Sequence, residues 1–151
     1  MLFRSVRPCR QHCVRRHVAP GLRLPPVVAV NLQPFVYRAA CLEVVDGDTL
    51  TLRIDTGFHS TRVDRVRLLG VNAPELHKAD SHAAGLQAKM FVQAQITAWQ
   101  ASQAEWPLLV QTHKSDSFGR WLAEVWPAEG DGPALSSLLL AAGHAVVFLP
   151  K

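Results

Sequence analysis

Asp46-Gly47 lies between two runs of β-forming residues. An aspartate followed by glycine suits a type I′ turn, whose two central residues need φ > 0, and such a turn folds one strand back on the next. Phe35 to Val45, before it, is rich in β-formers and reads as a strand. After it, Thr49 to Asp55 alternates, placing Leu50, Leu52 and Ile54 on one face. Asp48 shares the parity of those apolar residues. It is therefore expected to point toward the core side at the mouth of the strand, where a carboxylate needs a cation or hydrogen bonds.

The remaining elements follow from punctuation and periodicity. A turn at 56–60 leads to a third strand, Thr61 to Val71, which stops before Asn72-Ala73-Pro74 because proline disfavours αR at the residue before it. Asp80 or Ser81 is placed to cap a helix running to about Ala101, with Ala83, Leu86, Met90, Ala94 and Ala98 as its buried stripe. Gly85 within the first turns is unfavourable for a helix and points to close packing. Pro107 ends the connection to a strand at Leu108–His113, and another strand follows at Gly119–Trp126. Leu135–Ala142 reads as a short helix with Gly143 at its C′ position. Ala145–Leu149 reads as a last extended piece. Three meandering strands, a helix, two strands and a helix give a mainly β chain with helices (α+β). That is the order of a five-stranded OB-type barrel, a fold that often binds nucleic acids.

The charge is unevenly spread. Residues 1–42 hold seven arginines and no acid, whereas residues 43–151 hold nine lysines and arginines against twelve acids, for a net charge of +4. The folded body cannot rely on bulk positive charge to attract nucleic acid, so its grip has to be local. Residues 1–34 carry scattered arginines and six helix- and strand-breaking Pro/Gly residues. They read as a disordered basic tail, an organelle-targeting segment, a poor secretory signal, or residues upstream of a later start. The compartment stays open: secreted or periplasmic, organellar or cytoplasmic. Residues 35–151 are expected to form the single folded domain, as a monomer. No apolar run is long enough for a membrane span. Cys9, Cys13 and Cys41 are odd in number and fit no disulfide framework or closed zinc motif.

Between Asp46 and Glu75 the chain gathers Asp46, Asp48, Arg67, Asn72 and Glu75, and Arg120 follows in Asp116-Ser117-Phe118-Gly119-Arg120. Oxygen donors suit a hard cation. Arginine forks match pairs of phosphate oxygens. A glutamate can take a proton from water. Together they suggest phosphodiester hydrolysis. The tryptophans at 99, 106, 121 and 126 are spread over helix, loop and strand and read as packing. His77 and His82 read as solvated loop residues.

Val45-Asp46-Gly47-Asp48-Thr49, Arg67 to Glu75, Gly85-Leu86-Gln87-Ala88-Lys89-Met90-Phe91, Asp116 to Arg120 and Gly143-His144-Ala145 together resemble the thermonuclease, or staphylococcal-nuclease-like, family. The resemblance covers roughly Val36 to Val147. It implies an OB barrel, one calcium ion, and endonuclease cleavage of DNA and RNA to 3′-phosphate ends. By position, Asp48 and Asn72 would hold the calcium ion, with the backbone carbonyl of Ala73, and Asp46 would sit in the outer shell. Glu75 would orient or deprotonate the attacking water, and Arg67 and Arg120 would clamp the phosphate. Phe118 can still stack on a base or sugar, and Lys114 reads as an exposed strand end, with phosphate contact as the alternative. Two departures stand out. Asn72 occupies a position where an aspartate is common, which removes one negative charge and predicts weaker calcium binding. Ser117-Phe118 replaces a lysine–tyrosine pair, and the family's C-terminal stacking tyrosines are absent. The competing reading is a catalytically weak OB-fold module that binds single-stranded nucleic acid or protein.

Overall fold

β1 (Val36–Asp46) and β2 (Thr49–Gly57) pair antiparallel from Arg38↔Asp55 to Asp46↔Thr49. The turn that joins them is Gly47-Asp48, and neither residue has positive φ, so the expected type I′ turn does not form. Glycine is needed here for room rather than for φ. A Cβ on Gly47 would stand 2.7 Å from the Cβ atoms of both Ala73 and Ala88. The positive-φ pair lies at the next turn instead, where Phe58 and His59 (φ 51° and 58°) connect β2 to β3 (Ser60–Leu68).

The computed structural model describes residues 34–115, 119–129 and 132–148, all of them within one compact unit spanning Gln33–Lys151. The basic tail before residue 34 and Phe118 lie outside the described residues. The expected third strand is broken at Leu69-Gly70. Gly70 takes φ 76°, β3 ends at Leu68, and Val71–Asn72 forms a separate strand, β4. After a single 3₁₀ turn, Ala79–Ser81, α1 runs from His82 to Gln100. β5 (Leu108–Ser115) pairs with β1 and with β6 (Trp121–Pro127), and β6 runs parallel to β3 over Val66–Leu68. These pairings close a five-stranded barrel in the order β1-β2-β3-β6-β5, with helices outside it, as the element order implied. Leu50, Leu52, Val66, Leu68, Leu108, Val110, Ala123 and Val125 fill its interior.

α2 (Leu135–Ala141) ends as expected at Gly143, φ 72°. The Gly143 and His144 N–H groups donate to the Leu140 and Leu139 carbonyls, a Schellman closure that aims the chain back toward the barrel. β7 (Val146–Val147) then pairs with β4.

The buried face of α1 differs from the expectation. Gly85, Ala88, Val92 and Ile96 are buried, whereas Leu86 and Met90 are 44% and 61% exposed and Ala83, Ala94 and Ala98 face solvent. The helix lies close to the barrel, and small or β-branched residues permit that approach where long side chains would not. A Cβ on Gly85 would meet the Pro74 carbonyl oxygen at 2.7 Å. The close packing inferred for Gly85 is therefore present, on a stripe displaced from the one periodicity suggested.

Candidate active site

Asp48 stands at the tight turn before β2 and is 5% exposed, in the direction its parity implied. Its carboxylate is fully engaged. Oδ1 accepts from the Thr49 hydroxyl at 3.0 Å and from Arg67 Nη1 at 3.3 Å. Oδ2 accepts from the Ala73 backbone N–H at 3.1 Å and pairs with Arg67 Nη2 at 2.9 Å. Burial pushes the Asp48 carboxyl above the usual carboxylate range, opposed by the Ala73 N–H, the Arg67 charge and the Thr49 hydroxyl, and reinforced by the Asp46 charge.

Three sequence-distant pieces meet here because of pairing. Thr49 is opposite Arg67 in the β2–β3 ladder. Leu68 N–H donates to the Asp48 carbonyl at 2.8 Å, fixing the turn against the end of β3. Gly70 then redirects the chain so that Asn72 and Ala73 return to Asp48. Arg67 Nη2 also donates to Asn72 Oδ1 at 2.6 Å, so one guanidinium nitrogen lies between the Asp48 and Asn72 oxygens. Asp46 Oδ1 accepts from the Asp48 N–H at 3.4 Å.

Glu75 is beside this cluster in sequence, and its carboxylate is engaged by a lysine in this conformation. Its side chain is 63% exposed and pairs with Lys78 at 3.0 Å. Its backbone is held from the 3₁₀ turn that precedes α1. The Ser81 hydroxyl, expected to cap the helix, donates to the Glu75 carbonyl at 2.8 Å instead. His82 Nδ1 contacts the Leu76 carbonyl oxygen at 2.6 Å, so this histidine anchors the loop rather than being merely solvated.

Arg120 follows Gly119, φ 78°, and is half-buried just before β6. The parallel register pairs Trp121 with Val66 and Leu122 with Arg67, which brings Arg120 to the same edge of the barrel as Arg67. Lys114 lies in β5, but its side chain, like Phe118, is outside what the structure describes.

One ring was missed by inspection of the sequence. The Phe148 N–H donates to the Gly70 carbonyl at 2.9 Å, and the Phe148 ring centroid lies 5.9 Å from the Arg67 guanidinium carbon. The signal was the apolar run after Gly143, which the β4–β7 pairing carries to the rim of the site. Among the tryptophans, Trp106 packs under Arg53 at 4.7 Å, as a packing role implies, but Trp121 is 41% exposed. His144 is stacked at a tilt on Phe91, 4.9 Å between centroids.

Among the described residues, no helix is long and apolar enough to cross a membrane, and no group of three or more His, Cys, Asp and Glu side chains clusters as a metal site. The cluster described above is instead a mixed set of carboxylate, amide oxygen and guanidinium. A family model described as staphylococcal nuclease homologue matches residues 65–150, more than half of the chain. No curated protein matches the chain.

Proposed function

We propose, on the premise that the chain belongs to the staphylococcal nuclease homologues, that it is a calcium-dependent endonuclease hydrolysing phosphodiester bonds in DNA and RNA. The single observation that carries this reading is the convergence of Asp48 Oδ2 and Asn72 Oδ1 on one cationic nitrogen, at 2.9 and 2.6 Å. Two oxygens aimed at one positive centre, with Arg120 directly before the strand that pairs with β3, support a site for a cation and a phosphate.

The donors suit a hard cation, which takes carboxylate, amide and carbonyl oxygens at 2.3–2.6 Å. Asp48 and Asn72 would hold it, with the Ala73 carbonyl as a further ligand and Asp46 in the outer shell. When bound, calcium would neutralise phosphate oxygens and help position water. Asp48 contributes the one formal charge among the direct ligands, so affinity is expected to be modest.

The chain's own groups supply the rest. Arg67, released from Asp48, presents its fork to two phosphate oxygens, and Arg120 approaches from the parallel strand. Glu75, turned from Lys78, accepts a proton from water as its oxygen attacks phosphorus. The P–O5′ bond breaks, leaving a 3′-phosphate, and the departing 5′ oxygen takes a proton from solvent. Arginines aimed at charge that develops in the transition state are each worth about 100- to 1000-fold in rate. Phe148 beside Arg67, with Lys114 of β5 and Phe118, would contact the strand being cut.

A second reading has one observation in its favour: the Glu75 carboxylate is engaged with Lys78 in an exposed ion pair. A module that only binds single-stranded nucleic acid would have that arrangement permanently. The test is an assay of the full chain on denatured DNA and on RNA with calcium, with magnesium and with chelator. Cleavage that requires calcium supports the nuclease. Binding without cleavage supports the module, and chelator-insensitive cleavage rejects the cation's role.

A further inference from the structure

A cavity of about 670 Å³ opens at the mouth of the barrel, and the site described above does not use it. Ile54 and Val66 form its buried floor, and Phe35, Tyr37, Thr112 and Trp121 are among the residues that surround it. Phe35 and Trp121 are 66% and 41% exposed, unusual for large apolar side chains with a core adjacent. We propose that this cavity receives a nucleobase of the same strand whose phosphate is held at Arg67 and Arg120. The proposal rests on the nuclease reading and adds a subsite to it.

Continuity with the phosphate site favours this occupant. Trp121 directly follows Arg120, Val66 directly precedes Arg67, and Trp121 and Val66 are partners in the β3–β6 ladder. Side chains alternate along a strand, so Arg67 belongs to the outer face and Val66 and Trp121 to the barrel mouth, with Arg120 directly before Trp121. The ladder joins β3 to β6 only at Val66–Leu68. From Ser60 to Arg65, β3 is paired with β2 and, among the described residues, with no strand on its other side. A strand crossing the outer face at Arg67 therefore passes the cavity mouth at Trp121, where it can turn a base inward.

The chemistry of the lining fits a base. Three aromatic rings around an apolar floor offer faces for stacking, which is tolerant of sequence because every base has a π-face. The Thr56 and Thr112 hydroxyls and the Arg62–Asp64 ion pair at the rim offer donors and acceptors for a base edge. The volume lies within the range of small-molecule sites and exceeds what a single base needs. Stacking also addresses the charge problem. Residues 43–151 carry more acids than bases, so contacts that do not depend on bulk charge have more to contribute.

The test uses the full chain carrying Glu75→Gln, titrated in calcium with short single-stranded oligodeoxynucleotides that place 2-aminopurine at successive positions. A fluorescence change confined to one position, within about two nucleotides of the bond the wild type cuts, is the expected result. Trp121→Ala or Phe35→Ala should abolish that change and weaken binding roughly 5- to 100-fold, as should an abasic residue at that position. Phe35 is at the exposed rim, so its removal leaves the barrel interior intact. Binding with no position-specific change, or binding indifferent to both substitutions and to the abasic residue, overturns the subsite and leaves the nuclease reading standing. Failure of the Glu75→Gln protein to bind, together with failure of the wild type to cleave, overturns both.

Discussion

Arg67 Nη2 lies 2.9 Å from Asp48 Oδ2 and extends 2.6 Å to Asn72 Oδ1, so the guanidinium stands where the proposed cation would be held. The arginine and the proposed cation would compete for the same oxygens, and in the proposed mechanism the arginine also has to reach a phosphate. Arg67→Met should therefore have two opposite effects. In chelator the variant should lose about 1–3 kcal/mol of stability, because a buried carboxylate loses its charged partner. In calcium it should recover more stability than the wild type does, because Asp48 no longer has a competitor, while turnover stays at least about 100-fold down. Denaturant unfolding with and without calcium reads both effects.

Arg120→Lys keeps the charge and loses the planar fork. A fall in kcat of about 100- to 1000-fold is expected, with a thermal midpoint unchanged within about 2 °C. Retained turnover would show that Arg120 acts as a point charge only.

Gly85→Ala tests the contact between α1 and the Glu75 loop. Alanine gains about 1 kcal/mol of helix propensity over glycine. The new Cβ, however, would stand 2.7 Å from the Pro74 carbonyl oxygen and 3.2 Å from the Glu75 carbonyl oxygen. Backbone is on the receiving side, so the overpacking should win, with a net loss of about 1–3 kcal/mol. A lowered thermal midpoint is the expected outcome, together with reduced turnover because the Glu75 loop must shift.

Cys41 carries a pH prediction outside the site. Burial pushes its thiol up to about 11, with the Glu43 carbonyl accepting its S–H at 3.5 Å. The folded value lies above that of an unfolded thiol, about 8.5. The contribution of Cys41 to stability is therefore fully present below about pH 8.5 and is lost as pH rises through the folded value. Alkylation of Cys41, followed by peptide mapping, should be slow at pH 8 and should accelerate between pH 9 and 11.

Much of this fold was legible because local rules and long-range pairing agree. Leu50, Leu52 and Ile54 alternate and are buried, Gly143 closes α2, and the strand order matches the barrel. Asp48 was placeable from parity alone. Other features were not legible, for identifiable reasons. Gly47 resembled a φ > 0 glycine, but its constraint is the proximity of Ala73 and Ala88, which depends on where α1 docks. The face of α1 was misplaced because Leu86 and Met90 dominated the apolar pattern, whereas close docking selects Gly85 and Ala88. The β4–β7 pair and Phe148's place at the rim arise from pairing across some seventy-five residues, which no local pattern reports. The Glu75–Lys78 pair is a rotamer choice, and sequence spacing does not fix rotamers.

The most direct measurement is the single-turnover cleavage of a 5′-labelled single-stranded oligonucleotide, in calcium, by the wild type and by Glu75→Gln. Hydrolysis at this cluster predicts 3′-phosphate products from the wild type and a rate about 100- to 1000-fold lower for the variant. Equal rates, or no cleavage by either protein, would contradict it.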